Sequence, residues 1–488
     1  MKKISLILIT TLALWAISTF IIGNQTQAQL QNYIDKSNKL YANNGIELKL
    51  TNYKKSFLNS TAQVEINFSD PKIVKLLEKD YIVPLKLNYY IEHGPIFFQN
   101  GLGVGLSKIE NKLLLSSILK GDAKKEFLKL VKDDLHLNTE MVLSFAKKLN
   151  YKIQSDKLNI KEDKKTLSIS PLNIEGTSNI KTFKGDGTVK IAKLELKEDN
   201  SSNGMELNNL IAKVKINEIF NDAIFFGDFK FSVDKMIIKD ESNPKLKKID
   251  IAFDAEMSNQ RASQTTMNSL FNGTINLTNT KLPKEFKELE SINLSADMKE
   301  LGIEGMFEFQ QVTQNIQKEQ NELIKKLQTQ KPEEMQTTMK ELRNIEEKFL
   351  TKIIHTLNKL LIKDKTSIAY KAKINTKDKQ TSKALLEVGY TGDIDFKGTI
   401  EELTQKIKAQ ILSLIRVNVN VTLNKKHLSL LPIPMLKQQI QMGVAQGFVK
   451  ENNSSYVLDG YYKNKELIVN DNNLTSTVLP LLMMLTTH

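Results

Sequence analysis

The chain has 488 residues, 40% hydrophobic and 26% charged, with 21 glycines and 10 prolines, a balance that supports folded cores and excludes collagen-like and low-complexity classes. It has no cysteine, which removes disulfides, zinc ribbons, iron–sulfur clusters and thiol nucleophiles together. The formal net charge of +13 is dispersed: lysines and acids interleave, the arginines are Arg261, Arg343 and Arg416, and no basic run carries interleaved aromatics, so nucleic acid is not an expected partner.

Lys2 and Lys3 precede an apolar stretch from Ile4 to Ile22, which includes Leu8, Leu12, Trp15 and Phe20. Nineteen residues at a rise of about 1.5 Å each match the ~30 Å hydrocarbon core of a bilayer. The lysines predict that residues 1–3 stay cytoplasmic while the bulk is exported, to the periplasm of a bacterial cell, with 4–22 as a single-pass inner-membrane anchor. A cleaved signal peptide is the alternative, with Thr26-Gln27-Ala28 as its nearest cleavage signal, although the apolar core is long for one. Residues 23–45 read as a juxtamembrane helical linker, with Leu30, Tyr33, Ile34, Leu40 and Tyr41 among polar residues and an end at Asn43-Asn44-Gly45.

Period-two alternation then takes over. Ile46, Leu48 and Leu50, followed by Val64, Ile66 and Phe68, read as half-buried strands, as do Ile249 to Ala255, Ile368 to Ile374 and Ile415 to Leu423. Residues 158–300 are almost wholly strand-like, with turns expected at Gly185-Asp186-Gly187, Asn200 to Gly204 and Glu241 to Pro244. Helices are expected at about 71–80, 119–148 and 303–362, the last divided at Lys331-Pro332 because proline ends one helix and starts the next. Met335, Met339, Leu342, Phe349, Ile353, Leu357 and Leu360 place one apolar stripe along its second half, suited either to covering the domain's own sheet or to an interaction seam. Near the end, Tyr456 to Tyr462 and Glu466 to Val469 flank Lys463-Asn464-Lys465 as a hairpin, and Val478 to Leu485 reads as a short terminal helix. The expected architecture is mainly β with α (α+β): a curved antiparallel β-rich part at 46–302, a helical island at 303–362 and a second β-rich part at 363–488.

Several short strings fall in a familiar order: the basic start and apolar span, Gly45 to Ser56 with its Tyr53-Lys54, Ile91-Glu92-His93-Gly94-Pro95, Phe226-Gly227-Asp228-Phe229 ahead of a strand, Leu301-Gly302 and the closing hairpin. In this layout the chain resembles the YdgA/YihF-like family of bacterial envelope proteins, a domain of unknown function, with His93, Gly94 and Pro95 as the family signature. The resemblance implies an inner-membrane-anchored periplasmic protein and lends no catalytic residue, ligand or reaction.

His93 is the most interesting single residue, because Gly94-Pro95 holds it at the end of the strand Val83 to Ile91. Catalysis would need a nucleophile or second acid within reach, and a metal would need further ligands; His136, His355, His427 and His488 show no paired spacing, so a structural role at the strand end is the plainer reading. Gly101 to Gly105 lacks the Lys-Ser/Thr of a phosphate loop and reads as a bulged strand entry. No catalytic residue, metal site or cofactor is assigned.

Three functions compete. The first is a non-enzymatic envelope protein that holds a hydrophobic or lipid-like ligand on a curved sheet, or supports envelope assembly. The second is a scaffold, a homo-oligomer or partner dock, working through the 303–362 helices. The third is an envelope hydrolase using His93.

Overall fold

A computed structural model describes residues 25–39, 45–98, 102–131, 133–199, 201–240, 248–277, 287–329, 332–392, 397–430 and 435–476. The span Ile4–Ile22 and the tail Val478–Leu485 lie outside these residues, as does the turn at Glu241–Pro244. Among the described residues no helix is long and apolar enough to cross a membrane. The chain divides into two compact units, one ending at Ala252 and the other starting at Phe253. Both are mainly antiparallel β-sheet.

The first unit opens with a helix, α1, over 25–39. It continues through β1 (Ile46–Lys55), β2 (Asn59–Phe68), α2 (Pro71–Asp80), β3 (Leu85–His93), a small hairpin β4 (Ile96–Phe97) and β5 (Gly103–Val104), then β6 (Ser107–Leu114) and α3 (Gly121–Leu130). There follow β7 (His136–Leu143), β8 (Lys148–Ser155), β9 (Leu158–Glu162), β10 (Lys165–Ile169), β11 (Leu172–Asn179), β12 (Gly185–Glu198), β13 (Gly204–Phe220) and β14 (Ile224–Lys239). The pairing order is β1-β2-β3-β6-β7-β8-β11-β12-β13-β14, with the β9–β10 hairpin joining β12 beyond β11. Strand β15 (Lys248–Arg261) contains the division between the units.

The second unit is a meander of β16 (Thr266–Asn276), β17 (Leu289–Gly302), β18 (Ser367–Thr376), β19 (Thr381–Tyr390) and β20 (Ile415–Asn424), then β21 (Lys450–Glu451), β22 (Ser455–Lys463), β23 (Glu466–Val469) and β24 (Asn472–Asn473). Helices α4 (Ile303–Thr329) and α5 (Pro332–Leu360) are inserted between β17 and β18, α6 (Ile400–Leu414) between β19 and β20, and α7 (Leu436–Ala445) before β21. Proline therefore begins α5 as expected. At the closing hairpin Lys463 faces Glu466, and the two loop residues Asn464 and Lys465 both take positive φ, the primed turn whose twist suits a two-residue hairpin.

Register puts the apolar residues on one face. In the second unit the rows Met298–Ile368–Val388–Val417–Tyr462 and Leu294–Ala372–Ala384–Val421–Leu458 cross five strands from β17 to β22, and Phe271–Ala296–Tyr370–Leu386–Val419 crosses from β16 to β20. The reverse face carries Ser295, Lys371, Leu385, Asn420 and Asp459 in one row, polar apart from Leu385. In the first unit Ile109, Met141, Tyr151, Gly176, Gly187, Val214 and Phe229 form the matching row from β6 to β14.

Three sequence expectations are corrected here. The helix expected over 119–148 is confined to Gly121–Leu130, because Leu137, Thr139, Met141 and Leu143 alternate and pair as β7 with β8. Gly185-Asp186-Gly187 is not a turn but the start of β12; the Tyr151 ring lies over Gly176 and Gly187, where a Cβ would strike its hydroxyl, so these glycines make room for an aromatic side chain across the sheet. Phe226 to Phe229 does not precede a strand but lies within β14, opposite an irregularity between Ile216 and Glu218 where the Lys215 carbonyl occupies the space of a Gly227 side chain.

The base of the helical insertion is closed tightly. Leu301 bridges to Leu361, Thr366 Oγ1 donates to the Glu300 carbonyl at 2.7 Å, and Lys359 reaches Glu304 at 3.3 Å and Glu308 at 2.5 Å. Gly302 and Gly305 face the backbone of Lys359 and Leu360 so closely that neither position has room for a Cβ. Replacing Gly305 by Val is expected to cost about 1–3 kcal/mol through forced separation of the α4 start from the α5 end, seen as a lower urea midpoint for the second unit.

Candidate functional site

Helix α1 lies on the apolar face of the first unit. Leu30 packs on the Ala62, Ile91 and Ile109 cluster, and Tyr33, three residues or about 4.5 Å further along the axis, on the Leu143, Leu149 and Ile180 cluster. Two sets of contacts fix it. The Asn38 amide pairs with the backbone of edge strand β1, donating to the Leu48 carbonyl and accepting from the Leu48 N–H, both at 2.8 Å, so one side chain imitates a neighbouring strand. The Tyr33 ring sits 5.3 Å from that of Phe183, and Lys36 Nζ donates to the Lys181 carbonyl.

Between α1 and the sheet is a cavity of about 150 Å³. Its walls are Leu30, Tyr33 and Ile34 from the helix and Val64, Ile109, Met141 and Leu149 among others from the strands. Ser107, fully buried, also lines it, and its hydroxyl has no hydrogen-bond partner.

His93 sits beside this wall, directly opposite Ser107 in the β3–β6 register. It is 1% exposed, and its Nε2 lies 2.9 Å from Ser60 Oγ. Burial, the largest influence, holds the imidazole below its usual pKa; the Phe57 backbone opposes this and the Lys55 charge adds to it. The motif around it is a close-packed corner. The His93 N–H donates to Leu58 and the Gly94 N–H to Leu106, both at 2.8 Å, and the Gly105 carbonyl fills the space of a Gly94 side chain. The Gly94–Pro95 peptide is cis, and the next residues lead the chain into the hairpin that buries Phe97. Gly103 and Gly105 in turn pack against the Phe97 ring, which accounts for the glycine-rich string as a strand entry. Glu92, adjacent in sequence, points to the other face and accepts from the Phe98 N–H at 2.8 Å. Ser60 and His93 thus have the spacing of a nucleophile and its base, but both are 1% exposed.

A second buried histidine escaped the sequence reading. His427 is 1% exposed, between Ser382 Oγ at 2.7 Å from Nδ1 and Thr376 Oγ1 at 3.1 Å from Nε2. The proton positions follow from the partners. Ser382 Oγ accepts from the Asn424 N–H at 2.9 Å, and its own proton is available to Nδ1. Thr376 gives its proton to Asp378 at 2.6 Å, so it accepts from Nε2–H. Asp378 is held down to about 2 by Thr376 first and by Lys426, which donates to it at 2.9 Å. With the ring neutral and protonated on Nε2 each of these donors meets an acceptor, and burial lowers its pKa, with Asp378 raising it and Lys426 lowering it.

The remaining histidines are separate: His136 pairs with Asp156 at 2.7 Å and His355 Nε2 meets the Gly398 carbonyl at 3.2 Å. Among the described residues no group of three or more potential ligands is arranged for a metal. The anchor residues Ile4, Leu8, Leu12, Trp15, Phe20 and Ile22 lie outside the described residues. The cavity was visible in sequence only as the spacing of Leu30, Tyr33 and Ile34, an amphipathic face that needs a partner surface. Ser107 and Ser382 gave no local signal, since each acquires its meaning from a strand distant in sequence.

Fold and site together define an antiparallel β-meander protein with a helix-capped apolar cavity and buried histidine–hydroxyl clusters. The family model described as "Bacterial protein of unknown function (DUF945)" matches residues 1–476, and the chain belongs to that family. No curated protein and no solved structure matches it.

Two predictions follow from the geometry. Asn38→Ala should cost about 1 kcal/mol by removing two part-buried hydrogen bonds to the backbone of β1, and should speed hydrogen exchange across 25–39. For His427 the folded pKa lies below the unfolded value of about 6.5, so the unfolded chain takes up the proton first as pH falls. Stability of the second unit should therefore be complete above pH ~6.5 and decline on acidification toward the folded pKa. Urea midpoints at pH 7.5 and 5.5 measure this, and His427→Gln should reduce the difference between them.

Proposed function

We propose that this protein is a non-enzymatic, inner-membrane-anchored periplasmic component that holds lipid-like apolar chains on the open face of its sheets. The observation that carries the reading is the exposure of one continuous apolar face in the second unit. Phe271, Leu294, Tyr370 and Leu386, neighbours across β16 to β19, are 40%, 51%, 56% and 42% exposed although they occupy the apolar side of every strand. An apolar patch shared by several strands is larger than soluble surfaces ordinarily leave to water and marks a binding face. In the first unit Val214 and Phe229 are likewise exposed beyond the region that α1 covers.

The occupant is argued from size and position. The row from β16 to β20 crosses five strands, or about 19 Å at the usual spacing. That length accommodates the acyl chain of one bilayer leaflet, about 15 Å. The span Ile4–Ile22 ends two residues before α1 begins, so a body tethered by it stands at a lipid surface. The finer placement in the YdgA/YihF-like group rests on the order of the motifs around Tyr53, His93 and Leu301.

Photoreactive residues at Leu294, Tyr370 or Leu386 of the full chain in cells should give lipid adducts, and those at Lys371 or Lys383 on the reverse face should not. Equal labelling of both faces, or protein adducts alone, would sink the reading. A second reading, docking of another copy or partner through the helical insertion, is favoured by the exposure of Ile324, Met335, Met339 and Leu350 on α4 and α5. Crosslinks between copies at Met335 or Met339 would support it.

A further inference from the structure

We propose that the cavity beneath α1 is a binding site for a small neutral amphiphile, a ring or chain of about six carbons bearing one hydroxyl or carbonyl that pairs with Ser107. The site is separate from the open sheet faces, and the inference stands whether or not those faces hold lipid.

Size comes first. The cavity measures about 150 Å³, and a mainly apolar cavity of that volume admits a benzene-sized guest. A complete phospholipid or long acyl chain does not fit within it. The walls supply dispersion contact from Leu30, Ile34, Val64, Ile109, Met141 and Leu149.

Polarity comes second. Among the described residues, Ser107 Oγ is the one buried side-chain polar atom of this lining without a hydrogen-bond partner. Leaving such a group unmet is destabilising, whereas a guest with one polar atom would satisfy it. His93 Nδ1, on the residue opposite Ser107, is likewise buried without a partner, so the unmet polar atoms are concentrated at this end of the cavity. Ser107 can donate or accept, so an alcohol, phenol or carbonyl compound serves equally well.

Charge decides the class. The lining contains no Lys, Arg or His, and His93, across the strand pair from Ser107, is kept toward its neutral form by burial. A carboxylate or phosphate would enter an apolar cavity with no cation to meet it, at a heavy desolvation cost. The guest is therefore uncharged. Helix α1 forms one wall of the cavity, which is partly open to solvent, and the Asn38 pairing with Leu48 holds that wall in place.

The experiment uses the full chain in lipid nanodiscs, labelled with ¹³C-methyl methionine, with Met141 assigned through Met141→Leu. Titration with 1-hexanol should move the Met141 methyl signal saturably, and sodium hexanoate should leave it in place. In Ser107→Ala the affinity for hexanol should fall about tenfold, the worth of one hydrogen bond, while that for hexane holds. Absence of a hexanol shift, equal binding of hexanoate, or unchanged hexanol affinity in Ser107→Ala each overturns the proposal. The contrast between hexanol and hexanoate in the unmutated chain tests the site and its preference for an uncharged guest even if the variant does not fold. None of these readouts depends on lipid adducts at Leu294 or Leu386, so the two readings fail separately.

Discussion

Cross-strand register is the constraint on which everything else in this protein depends. In each unit the strands follow one another antiparallel, and every strand presents one apolar and one polar side. The rows that result hold only if each strand keeps its alignment. A shift of one residue in β18 against β17 would move Ile368, Tyr370, Ala372 and Ile374 to the side of Lys383 and Asn420 and bring Lys371 and Lys373 among the apolar residues. With no disulfide available, alignment is enforced by noncovalent means at the strand ends.

Those means are local and polar. The Ser60–His93 pair sits where β3 leaves the sheet, and the Ser382–His427–Thr376 cluster sits where β18 and β19 turn and where β20 ends. A buried side chain that must satisfy two hydroxyls from different strands tolerates one alignment and no other. The Asn38 amide performs a related task at the open edge of β1, occupying backbone groups that would otherwise invite another chain. Placing polar groups at strand ends leaves the middle of each apolar face to nonpolar side chains, and in the first unit α1 covers part of that face.

Much of this was legible in the sequence because alternation is a local property. Ile46 to Leu50, Ile368 to Ile374 and Ile415 to Leu423 announce their strands without reference to anything distant, and Pro332 announces its helix start. What could not be read were features whose cause lies across the sheet. Gly187 carries a turn signal, yet its role is to admit the ring of Tyr151, thirty-six residues earlier. Helix α6 was missed although Thr399 and Glu402 form a complete capping box, because its apolar residues continue without a break into the alternation of β20. His93 was recognised as a strand-end residue, whereas His427 was not: its partners Thr376 and Ser382 are some fifty and forty-five residues away.

The helical insertion has a further consequence. The Leu301–Leu361 bridge and the Thr366 bond to Glu300 bring β17 and β18 together at a neck, so the two strands are joined before the helices depart from them. Everything from Ile303 to Leu360 leaves the sheet and returns to it at this one hairpin, with a side contact from His355 to the Gly398 carbonyl ahead of α6. Such a neck is a natural site for lineage-to-lineage variation in chain length and, in the laboratory, for exchanging the arm for a short loop or a reporter while the meander keeps its alignment.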